Sequence, residues 1–241
     1  MEITTYLSDR PFRMFQEPQH LDVMSDIYQR YGVVAYSCRE YCPGFTSLLD
    51  VGGTTHGLFE RFLETASPGL EFSIANPGYN GIDGCDLPFG DNEFDVVTCI
   101  DTLEHVQPSD RGRVISEIRR VAKRLVVVAA PYDTPWTSGA EEMLYELSEN
   151  KFLREHLEFG LPSLQDFRRY SADIGCKSTY LFGNHMIQDW FTGMLNYLKG
   201  ASPNWHIHRN RFAALEGICR GSQFYRLVLV GVRSGEYSRS D

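Results

Sequence analysis

Short apolar runs alternate with stretches of helical spacing along residues 47–130. The runs are SLLDV (47–51), LEFSIAN (70–76), FDVVTCI (94–100) and RLVVVAA (124–130), and the segments after the first and third carry apolar residues at helical intervals. Strands that are apolar at nearly every position are covered on both faces, and strand alternating with helix builds a parallel sheet with crossover helices. KSTYLFG (177–183) and QFYRLVLVGVR (223–233) continue the pattern, separated by an insertion rather than a crossover of regular length. The expectation is an α/β, Rossmann-like sheet of roughly seven mostly parallel strands with helices on both faces.

The chain reads as a single domain, residues 1–241. Helical spacing in 19–42 places one or two helices ahead of the sheet, within 1–44. PSDRGRVISEIRRVAKR (108–124) reads as a helix capped by Ser109 or Asp110, with Val114, Ile115, Ile118 and Val121 as its apolar face. Its basic end, Arg119, Arg120, Lys123 and Arg124, suits a helix C-terminus. Two insertions stand out. Residues 131–161 exceed a routine connection and hold a candidate helix in TSGAEEMLYELSEN, and 185–222 holds the aromatic-rich MIQDWFTGMLNYLKG.

A net charge of −9 repels a phosphate backbone, so neither nucleic acid nor an anionic membrane is an expected partner. The longest apolar stretch, LVVVAA, is too short to span a bilayer, and the acidic second residue without a following apolar run is unlike a signal peptide. Cys38, Cys42, Cys85, Cys99, Cys176 and Cys219 form neither a C-x-x-C pair nor a Cys/His cluster. That pattern fits reduced thiols in a cytoplasmic protein and gives no structural zinc site; His206 and His208 alternate without an acid or cysteine nearby, so no metal is expected.

The turn after the first strand, Gly52–Gly53, can bring backbone N–H groups and a helix N-terminus to the carboxyl edge of the sheet, where open α/β folds bind ligands. It lacks the Gly-Lys-Ser/Thr end of a P-loop. Thr54 occupies the second glycine position of a pyrophosphate loop, and the next strand ends in Asn76 rather than an acid, which disfavours a nicotinamide dinucleotide.

LLDVGG together with GIDGCDLPFGDNEFDVVTCIDTLEHV (81–106) resembles the class I S-adenosylmethionine-dependent methyltransferases, in the small-molecule branch that carries Leu-Pro-Phe, a Phe-Asp strand and a Glu-His-Val helix start. The resemblance implies an antiparallel last strand, S-adenosylmethionine as cofactor and S-adenosylhomocysteine as product. It places Asp50, Gly52 and Gly53 against the methionine part and ribose, Asp83 and the Gly84 backbone at the adenine edge, and Cys99, Ile100 and Asp101 beside the sulfonium and the acceptor. Thr54 and His56 replace small glycines of the family's loop, with Gly57 one residue on, and Asn76 replaces the family's acid that grips the ribose hydroxyls. If Asn76 meets the ribose, Asn76→Asp is expected to tighten binding.

Methyl transfer needs a base only for an acceptor that carries a proton. His105 is a candidate base or a packing residue at the strand end, and His156 a candidate base or a hydrogen-bonding residue of the first insertion. Tyr132 and Asp133 read equally as acceptor contacts or as a turn, while Trp190, Phe191, Met194 and Tyr197 share one helix face and read as core or oligomer contact in preference to an acceptor pocket. The expected activity is methyl transfer to a small-molecule acceptor; the alternative is a non-catalytic S-adenosylmethionine-binding or regulatory protein on the same scaffold. Oligomeric state is open.

Overall fold

The computed structural model describes residues 24–53, 58–64, 67, 69–200 and 224–233. Helix α1 (Ser25–Tyr41) leads into β1 (Ser47–Val51), α2 (Leu58–Glu64), β2 (Glu71–Ala75) and the short α3 (Pro77–Asn80). Strand β3 (Phe94–Ile100) is followed by a 3-10 turn (Leu103–His105), α4 (Arg111–Val121) and β4 (Ala122–Pro131). The first insertion folds as α5 (Pro135–Ser148) and α6 (Lys151–Phe159), before α7 (Leu164–Ile174), β5 (Ser178–Met186), α8 (Ile187–Leu198) and β6 (Phe224–Val232).

The strands form one sheet in the order β2-β1-β3-β4-β6-β5. All neighbours from β2 to β4 run parallel, and β6 is antiparallel to both β4 and β5, as expected of the last strand. The sheet has six strands among the described residues, not seven. Between β2 and β3 the chain is rich in Gly, Asp and Pro and has no apolar run from which to build another strand, so the sheet ends at β2.

Strand residues alternate between two cores. Leu125, Val127 and Ala129 of β4 face Val34, Cys38, Phe59 and Leu63 of α1 and α2, whereas Val126, Val128 and Ala130 face Ile115, Ile118, Phe167 and Tyr170 of α4 and α7. That period of two, apolar on both sides, is the physical content of the uninterrupted apolar runs. Helix α4 is shorter than its sequence pattern suggests, because Lys123 and Arg124 already belong to β4, and Asp110 at its N-cap makes no side-chain cap bond. No helix among the described residues is long and apolar enough to cross a membrane, and the five described cysteines are unpaired. Thr54, His56, Gly57, the 206–208 histidines, Cys219 and the C-terminal tail lie outside the described residues.

Candidate functional site

The parallel strands β1, β2 and β3 end together. Gly52 adopts φ +90, a backbone state open to glycine, and a Cβ there would overlap the Thr102 side chain. Its N–H donates to Ala75 O at 2.7 Å, tying the turn to the end of β2. Asn76 completes the tie. Its side-chain amide donates to Gly52 O (3.1 Å) and Gly53 O (3.0 Å), and its Oδ1 accepts from the Gly78 N–H at 2.8 Å. The residue expected at the ribose is thus a brace for the glycine turn, with its donors already engaged.

Asp50 lies beneath that turn, buried, and accepts from Thr98 Oγ1 at 2.7 Å. Burial pushes its carboxyl up to about 7, against the Thr98 hydrogen bond and the Arg30 charge. Exposed Asp83 accepts from the Cys85 N–H at 2.8 Å, and Gly84 packs so closely on Val51 that a Cβ would come within 3.0 Å of its side chain. Leu87 is held by its own N–H to Glu117 and its carbonyl to Arg120, which also bonds Phe89 O and Asp91. The basic end of α4 therefore shapes the Leu-Pro-Phe loop. A bare glycine turn, an exposed carboxylate beside close-packed Gly84, and apolar Ile82, Leu87 and Phe89 fit the adenine and methionine ends of S-adenosylmethionine.

Cys99 and Ile100 are buried at the end of β3. Asp101 has φ 46, and its carboxylate is taken up by two arginines: Arg226 (2.6 and 2.5 Å) and Arg30 (3.1 Å). Arg226, fully buried, also bonds Asp26 (3.1 Å) and Asn184 (3.2 Å). Asp101 is therefore the centre of a charge-balanced network, and the strand edge carries two guanidiniums that the spacing of motifs did not reveal. Arg226 interrupts the apolar run of β6, and a lone charge in such a run is the signal that could have found it.

Just beyond, the two candidate bases meet. His105 ends the 3-10 turn, and His156 lies on the buried face of α6 with Leu153. Their Nε2 atoms are 3.3 Å apart. Each Nδ1 faces a carboxylate, Glu155 at 2.8 Å for His105 and Glu141 at 3.0 Å for His156. Glu141 also accepts from the Tyr225 hydroxyl at 2.9 Å, and Tyr225 stacks on Trp190 with ring centroids 3.7 Å apart. Buried Arg111 locks the assembly by donating to Val106 O, Phe159 O and Gly160 O, joining the exit of the 3-10 turn to the end of α6.

Glu104, 1% exposed, completes the group, and its Oε2 has no hydrogen-bond partner. Burial, then the Asp101 charge, pushes its carboxyl up to about 8. Burial and the neighbouring His156 lower the pKa of His105 against the pull of Glu155. For His156 burial works downward too, but the Glu141 hydrogen bond and the charges of Glu141 and Glu104 outweigh it, and its pKa is raised. Glu141 and Glu155 escaped the sequence reading. Glu141 shares a buried helical stripe with Thr137 and Leu144, and an acid on such a stripe is a legible anomaly.

Tyr132 is buried in the core, and Asp133 accepts from Ser138 Oγ at 3.0 Å. Trp190, Phe191 and Met194 belong to a third apolar cluster, while Tyr197 is exposed.

Residues 60–129 match the family model described as a methyltransferase domain. The comparison with curated proteins finds no match. Among solved structures, the plantazolicin methyltransferase BpumL in complex with SAH aligns at 9% identity and TM-score 0.53, over 87% of this chain and 85% of that one. A chain of the complex between the Haloferax volcanii Trm112 methyltransferase activator and a methyltransferase aligns at 16% identity and TM-score 0.50, over 88% and 94%. Haemonchus contortus phosphoethanolamine N-methyltransferase 2, with phosphomonomethylethanolamine and S-adenosylhomocysteine bound, aligns at 11% and TM-score 0.51 over 88% of this chain, which spans 57% of it. Residues 60–129 therefore match a methyltransferase domain, and the sheet as a whole has the fold of these methyltransferase structures.

Proposed function

We propose that the protein methylates a proton-bearing heteroatom, a hydroxyl or an amine, of a small molecule seated against Glu104, His105 and His156. The observation that carries this reading is the pair of imidazole Nε2 atoms 3.3 Å apart, directly after the strand end assigned to the reacting centre. S-adenosylmethionine, when bound, supplies an electrophilic methyl carbon. Displacement at that carbon asks the chain for alignment and exclusion of water. The Gly52–Gly53 turn and the Asp83–Gly84 segment hold the cofactor, while α5 and α6 cover the acceptor. The lowered pKa of His105 leaves its imidazole neutral near pH 7, able to take the acceptor's proton and share it with His156. Glu155 and Glu141 keep both rings oriented for that transfer.

A calorimetric titration with S-adenosylmethionine, S-adenosylhomocysteine and NAD tests the cofactor half. Saturable binding of the first two alone is expected, with weaker binding by Asp83→Ala; binding of neither would sink the reading. Transfer of labelled methyl to hydroxyl and amine acceptors, lost in His105→Ala with cofactor affinity kept, tests the other half. S-adenosylmethionine binding with no transfer to any acceptor favours the non-catalytic alternative.

A further inference from the structure

We propose that Glu104, His105 and His156 form a binding site for a divalent transition-metal ion of the zinc class. One ligand atom from each residue, a carboxylate oxygen and two ring nitrogens, lies within 4.8 Å of the others. An ion about 2.0–2.1 Å from each of two imidazole nitrogens, in tetrahedral geometry, sets those nitrogens about 3.4 Å apart. His105 Nε2 and His156 Nε2 stand 3.3 Å apart.

The surroundings point the same way. A metal-ligating histidine gives its other ring N–H to a carboxylate, which fixes the tautomer and leaves a lone pair for the ion. Both histidines have that carboxylate, Glu155 and Glu141. With both Nδ1 atoms protonated, two bare Nε2 lone pairs face each other, an arrangement that a proton or a metal cation between them relieves. Glu104 separates these choices: its carboxylate is 1% exposed, and one oxygen has no donor. A single shared proton leaves that oxygen orphaned, whereas a cation held by all three residues satisfies it. Two imidazoles and one carboxylate suit Zn²⁺ and its neighbours; Mg²⁺ prefers oxygen ligands and octahedral geometry. Three protein ligands leave a position open for the lone pair of an acceptor oxygen, whose proton the ion would acidify for release to solvent, in place of the imidazole base, because the Nε2 lone pairs are then its ligands. Only that catalytic role rests on the methyl-transfer reading; binding of the ion does not.

The test uses the full chain stripped with chelator, in the absence of cofactor and acceptor. Zn²⁺ is titrated calorimetrically, and Co²⁺ is followed by its visible absorption. One equivalent is expected, with a rise in Tm and no comparable binding of Mg²⁺. Glu155→Gln, at a partly exposed position that only supports the His105 ring, weakens binding roughly 10–100-fold. His105→Gln, His156→Asn and Glu104→Gln weaken it further, with folding checked by circular dichroism. Absence of Zn²⁺ binding to the wild type overturns the site, as does equal affinity in the wild type and in Glu155→Gln together with the folded ligand variants. Zn²⁺ binding without any S-adenosylmethionine binding would retain the site and overturn only the methyl-transfer reading, so the two failures are distinguishable.

Discussion

At residue scale, Asn76 shows how one side chain changes meaning once its hydrogen bonds are known. From sequence it stands where the family carries an acid, and restoring the acid is expected to improve the cofactor site. In the structure its amide donates to the carbonyls of Gly52 and Gly53. A carboxylate has no N–H to give and would face two carbonyl oxygens. Asn76→Asp is therefore expected to weaken S-adenosylmethionine binding about 10-fold, about 1.4 kcal/mol, by loosening the turn; calorimetry showing tighter binding would contradict the brace. Asp50 gives a pH prediction. Its carboxyl lies near 7 in the fold against 3.8 ordinarily, so its contribution to stability is fully present below about 3.8 and is lost as pH rises through 7. A displacement of that size corresponds to roughly 4 kcal/mol at most. Asp50→Asn can still accept from Thr98 and carries no charge, so its Tm should gain on the wild type from pH 5 to pH 8. Parallel Tm curves would remove Asp50 from this role.

At the scale of elements, the sheet was readable because its physics is local: strands covered on both faces are apolar at nearly every position, and β1, β3, β4 and β6 are buried nearly throughout. Order along the sheet was less so, since a missing strand between β2 and β3 leaves only an absence of apolar residues to read. The glycine turn and the Leu-Pro-Phe loop were visible as motifs. The histidine cluster was half visible: His105 and His156 each stood out, but their contact joins a 3-10 turn to α6 across a separation of 51 residues, which no spacing rule reaches. The ion site proposed above was illegible for the same reason, since the search for a metal looked only at ligands close in sequence. Arg111 is the fastener between those elements. Arg111→Met leaves the carbonyls of Val106, Phe159 and Gly160 without their donor, costing roughly 1–3 kcal/mol. Because the turn and the Asp83–Gly84 segment sit on other elements, methyl transfer should fall at least 10-fold while S-adenosylmethionine affinity stays within about 2-fold. Equal losses of both would mean that α6 does not act through the histidine pair.

For the molecule as a whole, the question is what seats α1 on the sheet at the same edge as the site. Apolar packing of Val33, Val34 and Cys38 supplies adhesion without direction. Direction comes from the buried network in which Arg226 of β6 reaches Asp101 after β3, Asp26 of α1 and Asn184 of β5, while Arg30 of α1 returns to Asp101. Two arginines balance two aspartates, so removal of one partner leaves an uncompensated buried charge, a loss of roughly 3–5 kcal/mol. Arg226→Met should show that loss in urea unfolding at pH 7. The pairing of Asp26 is strong enough that, despite burial, the Arg226 charge with His185 and Arg30 holds its carboxyl well below the usual range. A carboxyl held low stabilises the fold above its ordinary pKa of 3.8 and ceases to as pH falls through the folded value. Without Arg226, burial raises the Asp26 carboxyl above its ordinary range, so the gap between wild type and Arg226→Met should be full at pH 7 and begin to shrink above pH 4 as Asp26 of the variant takes up its proton. Adding Asp101→Asn to Arg226→Met leaves Asp26 balanced by the charge of Arg30 and should recover part of the loss at pH 7. If the double variant is no more stable than the single one, charge balance is not what the network contributes, and the packing of the Arg226 side chain would account for the whole effect.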